Sequence, residues 1–143
     1  MEIISKTTED TKKLAREIAA HIKPGQVVAL YGDLGSGKTT LTGFIVAELG
    51  FKSRVQSPTF VIMRKYKKDS GKIKVINHID LYRISNLAEI IDLGLAETFV
   101  EKETISIIEW PELAETLLPE NTVRIKFTHL ESDERQVYVE NLY

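Results

Sequence analysis

The sequence predicts an α/β fold, a central mostly parallel β-sheet with flanking helices and a β-hairpin. Two observations point there. Short apolar runs such as Val27–Tyr31 and 104–110 are too brief for buried helices, and they alternate with segments whose apolar residues recur at helical spacing. A glycine-rich stretch, residues 32–37, stands between one such run and one such helix. The length of 143 residues, with 43% hydrophobic and 28% charged residues, suits one core without disulfides or metals, so residues 1–143 are expected to form one domain.

The elements follow in order. Ile3 and Ile4 begin a short strand, and Thr7-Thr8-Glu9-Asp10 has the Ser/Thr-x-x-Asp/Glu form of a capped helix start. Leu14, Ile18 and Ile22, flanked by Ala15 and Ala19, keep helical spacing until Lys23-Pro24-Gly25 ends it. Val27–Tyr31 is apolar and partly β-branched, the mark of a strand buried on both faces. After the loop, Leu41, Phe44, Ile45 and Leu49 resume the helical period up to Gly50. Residues 60–67 and 73–80 read as strands of a hairpin turned by Asp69-Ser70-Gly71. Residues 86–93 suit a short helix ended by Gly94, 104–110 a buried strand, 111–118 a short helix opened by proline, and 122–128 and 136–142 closing strands. There is no repeat, low-complexity stretch or linker.

Composition narrows the function classes. No apolar run approaches the length of a membrane span, and acidic Glu2 follows Met1 where a signal segment would be basic, so no membrane association is expected. The absence of cysteine removes disulfides, thiolate zinc sites and a Cys nucleophile, and it suits a reducing cytoplasm. Net charge is only −2, but it is unevenly spread. Residues 1–75 hold fourteen Lys/Arg against seven Asp/Glu, and residues 76–143 five against fourteen. Such a dipole can steer a charged partner.

Gly32-Asp33-Leu34-Gly35-Ser36-Gly37-Lys38-Thr39 satisfies G-x-x-x-x-G-K-[ST] in full. The motif leaves a predicted buried strand and enters a predicted helix, so backbone N–H groups and a helix N-terminus can converge on phosphate oxygens. Lys38 is expected to be an exposed loop-end charge that reaches the β- and γ-phosphates of ATP, and the Thr39 hydroxyl is expected on Mg²⁺. The competing reading is a glycine-rich turn with a solvated lysine. Magnesium on a phosphate also needs carboxylate support at the carboxyl edge of the sheet. Asp80 ends one predicted strand and Glu109 another; the alternative for each alone is a strand-end carboxylate facing water. His78 precedes Asp80 by two and shares its strand face, although a packed or hydrogen-bonded core histidine is the plainer reading.

With these motifs in hand, the sequence resembles the TsaE (YjeE) family, P-loop ATPases required for threonylcarbamoyl modification of adenosine 37 in tRNA (t6A biosynthesis). The resemblance spans nearly the whole chain. It rests on the loop extended to Thr40, on Ser57-Pro58-Thr59-Phe60, on His78-Ile79-Asp80-Leu81-Tyr82-Arg83, and on Ile108-Glu109-Trp110-Pro111-Glu112, in that order. Ser36 stands where the family most often has alanine. The resemblance implies a P-loop NTPase domain that binds ATP/ADP with Mg²⁺ and works with the proteins TsaB and TsaD, meeting tRNA indirectly through that complex. It implies catalytic roles for Lys38, Asp80 and Glu109, nucleotide contacts from Asp33, Leu34, Gly35, Ser36, Gly37, Lys38, Thr39 and Thr40, and metal contacts from Thr39, Glu109 and Asp80. Ser57 and Thr59 would sense the γ-phosphate. Thr11 and Arg135 would flank the adenine. Tyr82, Arg83 and Trp110 would be switch or partner residues, against an ordinary structural role as the alternative for each.

Arg64, Lys65, Lys67, Lys68, Lys72 and Lys74 form a basic run opposed only by Asp69, either a solvated hairpin or a surface for an acidic partner or tRNA. Residues 89–120 hold nine Asp/Glu and one Lys, which disfavours direct tRNA contact on that side. Two other functions share the loop: a small-molecule kinase, which needs an acceptor pocket and an arginine-bearing lid, and a nucleotide-regulated binding module that barely hydrolyses.

Overall fold

The computed structural model describes residues 2–33, 35–55, 62–130 and 134–143. The chain runs β1 (Glu2–Ser5), α1 (Thr8–His21), β2 (Val27–Tyr31), α2 (Lys38–Glu48), β3 (Met63–Lys67), β4 (Val75–Asp80), α3 (Leu87–Asp92), α4 (Leu95–Phe99), β5 (Thr104–Glu109), a 3-10 helix (Glu112–Leu117), β6 (Val123–His129) and β7 (Arg135–Glu140). The seven strands of the described residues join one sheet in the order β1-β7-β6-β2-β5-β4-β3. The central strands β6, β2, β5 and β4 are parallel, and antiparallel strands close both edges. The expected hairpin is therefore present as β3 and β4, and β6 and β7 form a second antiparallel pair.

Alternation along the strands divides the core. Ile76, Ile105, Ile107, Val28 and Leu30 pack with Leu14, Ile18, Leu41 and Ile45 of α1 and α2. Val27, Ile79 and Ile108 face the other way, onto Ile90, Leu95 and Phe99 of α3 and α4. Because the four parallel strands run the same way, their carboxyl ends bring Tyr31, Asp80, Glu109 and His129 to one edge, the usual ligand crevice of such sheets.

The start of α1 is closed as its sequence predicts. The Thr7 side chain accepts from the Asp10 N–H at 3.3 Å, and the Asp10 carboxylate accepts from the Lys6 and Thr7 N–H groups at 3.0 and 3.3 Å. These backbone donors hold the Asp10 carboxyl below the ordinary range. Thr7→Ala should cost about 1 kcal/mol and lower the melting temperature by about 2–4 °C. Thermal unfolding followed by circular dichroism checks this.

One expectation is incomplete around residue 94. Gly94 does end a helix capped by Asn86, but its left-handed conformation (φ 68°) also starts α4, which buries Leu95 and Phe99 four residues apart. A glycine that stops one helix while opening the next leaves no sign of the second in a five-residue segment. The segment after Pro111 is a 3-10 helix. Of the expected strand 60–67, Phe60 and Val61 lie outside the described residues.

Candidate functional site

The glycine-rich loop connects β2 to α2, leaving the central strand at Tyr31 and entering the helix at Lys38. Its glycines are needed where they stand. A Cβ on Gly32 would come within 2.8 Å of Ser36 Oγ and 3.0 Å of Phe127 Cβ, and Gly37, the N-cap of α2, has φ 107°. Ser36 is buried, and its hydroxyl has no hydrogen-bond partner among the described residues. An orphaned hydroxyl inside a loop of this shape is a donor waiting for an acceptor.

Lys38 departs from the expectation of an exposed charge. It is only 4% exposed; its Nζ donates to the Gly32 carbonyl at 2.5 Å and lies 3.7 Å from the centre of the Trp110 ring. Burial pushes its pKa down, while Glu109, Glu112, Asp80 and Asp33 pull it up. The lysine is long enough to fold back over its own loop, and Trp110, far along the chain, supplies the face it lies on.

Trp110 is held there by local backbone. It follows the last residue of β5 and takes φ 58°, a left-handed conformation uncommon outside glycine. Its ring meets Tyr82 with 5.0 Å between centroids. Tyr82 itself is 49% exposed, so a string of contacts runs from the surface through Trp110 to Lys38.

The two carboxylates converge by register. Asp80 and Glu109 are direct partners on the parallel strands β4 and β5, and both are buried. Thr39 Oγ1 donates to Glu109 at 3.0 and 3.2 Å to its two oxygens, and Asp80 accepts from the Tyr82 N–H at 2.9 Å. His78 lies wholly buried, with Nε2 2.6 Å from the second Glu109 oxygen. The alternative of strand-end carboxylates facing water does not hold for either residue.

Beside the loop is a cavity of about 380 Å³ lined by Thr7, Thr8, Thr11, Gly35, Ser36, Gly37, Thr40, Phe127 and Arg135, together with Ser5 and Lys6. Thr11 and Arg135, distant in sequence, are thus brought to one cavity with the loop; Arg135 also donates to the Gly35 carbonyl at 3.2 Å. Ser5, Lys6 and Phe127 were missed in the sequence. Phe127 follows Ile125 by strand alternation and could have been placed on the loop side only with the strand order known. Asp33 and Arg83 are exposed. Leu34, Ser57 and Thr59 lie outside the described residues.

Among the described residues no group of three His, Cys, Asp or Glu side chains could cage a metal by itself. The Thr39 hydroxyl and the Glu109 and Asp80 carboxylates form instead an oxygen-only set at the mouth of the loop, suited to Mg²⁺, which takes one or two protein carboxylates and fills its remaining positions with phosphates and water. The arrangement could hold a phosphate in the loop with a hard cation between it and the buried carboxylates, groups that phosphoryl transfer uses.

The chain is similar to known proteins over most of its length. The family described as "Threonylcarbamoyl adenosine biosynthesis protein TsaE" matches residues 5–137. The tRNA threonylcarbamoyladenosine biosynthesis protein TsaE of Bacillus subtilis is 39% identical over 129 residues, 90% of this chain and 78% of that protein. Its counterpart in Rickettsia bellii is 35% identical over 143 residues, covering 99% and 96%. That of Aquifex aeolicus is 42% identical over 113 residues, covering 78% and 77%. Among solved structures, the crystal structure of Bacillus subtilis YdiB is similar with a TM-score of 0.77 at 32% identity, over 96% of this chain and 82% of that one.

Proposed function

The chain belongs to the TsaE family of threonylcarbamoyl adenosine biosynthesis proteins, and from that premise we propose that it is the ATP-binding and ATP-hydrolysing component of tRNA t6A formation, acting with TsaB and TsaD. The observation that carries this reading is the hydrogen bond from Thr39, at the head of α2, to Glu109, at the end of the adjacent parallel strand. That pair joins the phosphate loop to a buried carboxylate, the oxygen donors that Mg²⁺ on a bound phosphate takes from a protein.

In this reading the loop's N–H groups and the Ser36 hydroxyl bind phosphate, and Lys38 leaves the Gly32 carbonyl for the β- and γ-phosphate oxygens. The cavity beside Thr11 and Arg135 takes the adenine. Mg²⁺, when bound, neutralises phosphate charge that develops during transfer. Thr39, Glu109 and Asp80 hold it and its water. Ser57 and Thr59 are assigned the role of sensing the γ-phosphate. The nucleotide acts on partners through Trp110 and Tyr82.

Partner docking is supported by surface chemistry. Tyr82, Leu87, Ile91, Leu93, Val100 and Leu113 are all exposed large apolar residues between the end of β4 and the first turn of the 3-10 helix, in or beside the acidic segment 89–120. In this reading the complex is cytoplasmic and meets tRNA through its partners; no helix among the described residues is long and apolar enough to cross a membrane. The isolated chain is expected to hydrolyse ATP slowly, and adding the TsaB–TsaD pair should raise phosphate release at least about tenfold, less so at high salt. Full-speed hydrolysis by the chain alone, indifferent to partners at any salt, contradicts this reading.

A further inference from the structure

His78 occupies the middle of β4, completely buried, on the face that otherwise carries Ile76 and the core beneath α1 and α2. An imidazole there is costly unless both ring nitrogens are bonded, and both are. Nδ1 is 3.3 Å from the Tyr66 hydroxyl on β3, and Nε2 is 2.6 Å from Glu109. The protons can be followed through the chain of bonds. An ionised Glu109 only accepts, so Thr39 O–H and His78 Nε2–H must both donate to it. A neutral imidazole with its proton on Nε2 leaves Nδ1 as an acceptor, and the Tyr66 O–H fills that place.

We propose that His78 is a positioning residue: keyed by Tyr66, it clamps one oxygen of Glu109 so that the carboxylate keeps a single orientation toward Thr39. Two donors approach Glu109 from different elements, Thr39 from α2 and His78 from the neighbouring strand, so the carboxylate cannot rotate without breaking one of them. A histidine that holds a metal-associated carboxylate is worth about 10- to 100-fold in metal affinity or activity. The proposal rests on the reading that Thr39 and Glu109 serve Mg²⁺.

The test compares calorimetric binding of a non-hydrolysable ATP analogue with and without Mg²⁺ in wild type, His78→Leu and His78→Gln. Metal-free affinity should be alike in all three, within about threefold, because the loop itself is untouched. Mg²⁺ should tighten binding to the wild type. His78→Leu should lose most of that tightening and need at least about tenfold more Mg²⁺ for half-maximal hydrolysis with TsaB and TsaD present. His78→Gln, which can place an amide N–H near the position of Nε2, should keep both within about threefold of wild type. If His78→Leu does not fold, Tyr66→Phe takes its place: removing one hydroxyl should raise the Mg²⁺ requirement about threefold or more. Wild-type magnesium dependence in the leucine variant, equal impairment of leucine and glutamine variants, or an unchanged Tyr66→Phe where it substitutes, would each overturn the clamp. A wild type whose nucleotide binding ignores Mg²⁺ would overturn the assignment of Thr39 and Glu109, and the clamp with it.

Discussion

Lys38→Ala is expected to abolish ATP hydrolysis and to erase most of the thermal stabilisation that MgATP confers. A ligand at a hundred times its dissociation constant stabilises by about 2.7 kcal/mol, which for a chain of this size raises the melting temperature by about 5–10 °C. Without the ammonium the triphosphate loses its one mobile cation in the loop, so the variant should show little of this shift. The free protein is affected too, because Lys38 is buried against Trp110 and tied to the Gly32 carbonyl. Alanine there removes a cation–π contact and also the cost of burying a charge, opposing effects that leave a change of about 1 kcal/mol or a few degrees. Differential scanning fluorimetry of both proteins, with and without MgATP, separates the two effects. Equal nucleotide-induced shifts would remove Lys38 from the site.

Glu109→Ala and Asp80→Ala should each slow single-turnover hydrolysis at least about a hundredfold while moving the affinity for ATP by less than about tenfold, or 1.4 kcal/mol. Affinity comes chiefly from loop N–H groups, Lys38 and the adenine cavity, whereas a carboxylate beside metal or water acts mainly in the transition state. The two variants differ in what they leave behind. Losing Glu109 strips the acceptor from both Thr39 and buried His78, and losing Asp80 strips it from the Tyr82 N–H. Glu109→Ala should therefore also lower the melting temperature, and Glu109→Gln, which keeps an acceptor oxygen, should lower it less while remaining slow. Rapid-quench kinetics beside equilibrium binding measures both quantities; a wild-type rate in either alanine variant removes that carboxylate from the reaction.

The parts of this architecture that depend on local pattern were legible in the sequence. The capping box at Thr7 and Asp10, the buried runs of β2 and β5, and the turn between β3 and β4 each announce themselves within a few residues. The loop and both carboxylates were legible for a related reason, since each lies at the end of a strand whose neighbours are strongly apolar. What stayed hidden depends on which strands lie side by side. Only the adjacency of β4 and β5 brings His78 within reach of Glu109, and only the return of β6 and β7 beside the loop lays Phe127 and Arg135 along the cavity. Lys38 misled because a lysine's long stem can bury itself on an aromatic face that its own segment does not contain. The apolar residues Leu87, Ile91 and Leu113 read as core by type, yet they stand exposed on the layer that covers the second face of the sheet.

The fate of the γ-phosphate tests the central claim most directly. ATP labelled at that position, incubated with the chain, Mg²⁺ and the TsaB–TsaD pair, should release its label as inorganic phosphate, at a rate that depends on the partners and disappears with Lys38→Ala. Label recovered instead in a phosphoester of a small molecule, or left entirely in ATP with partners present, would contradict the account.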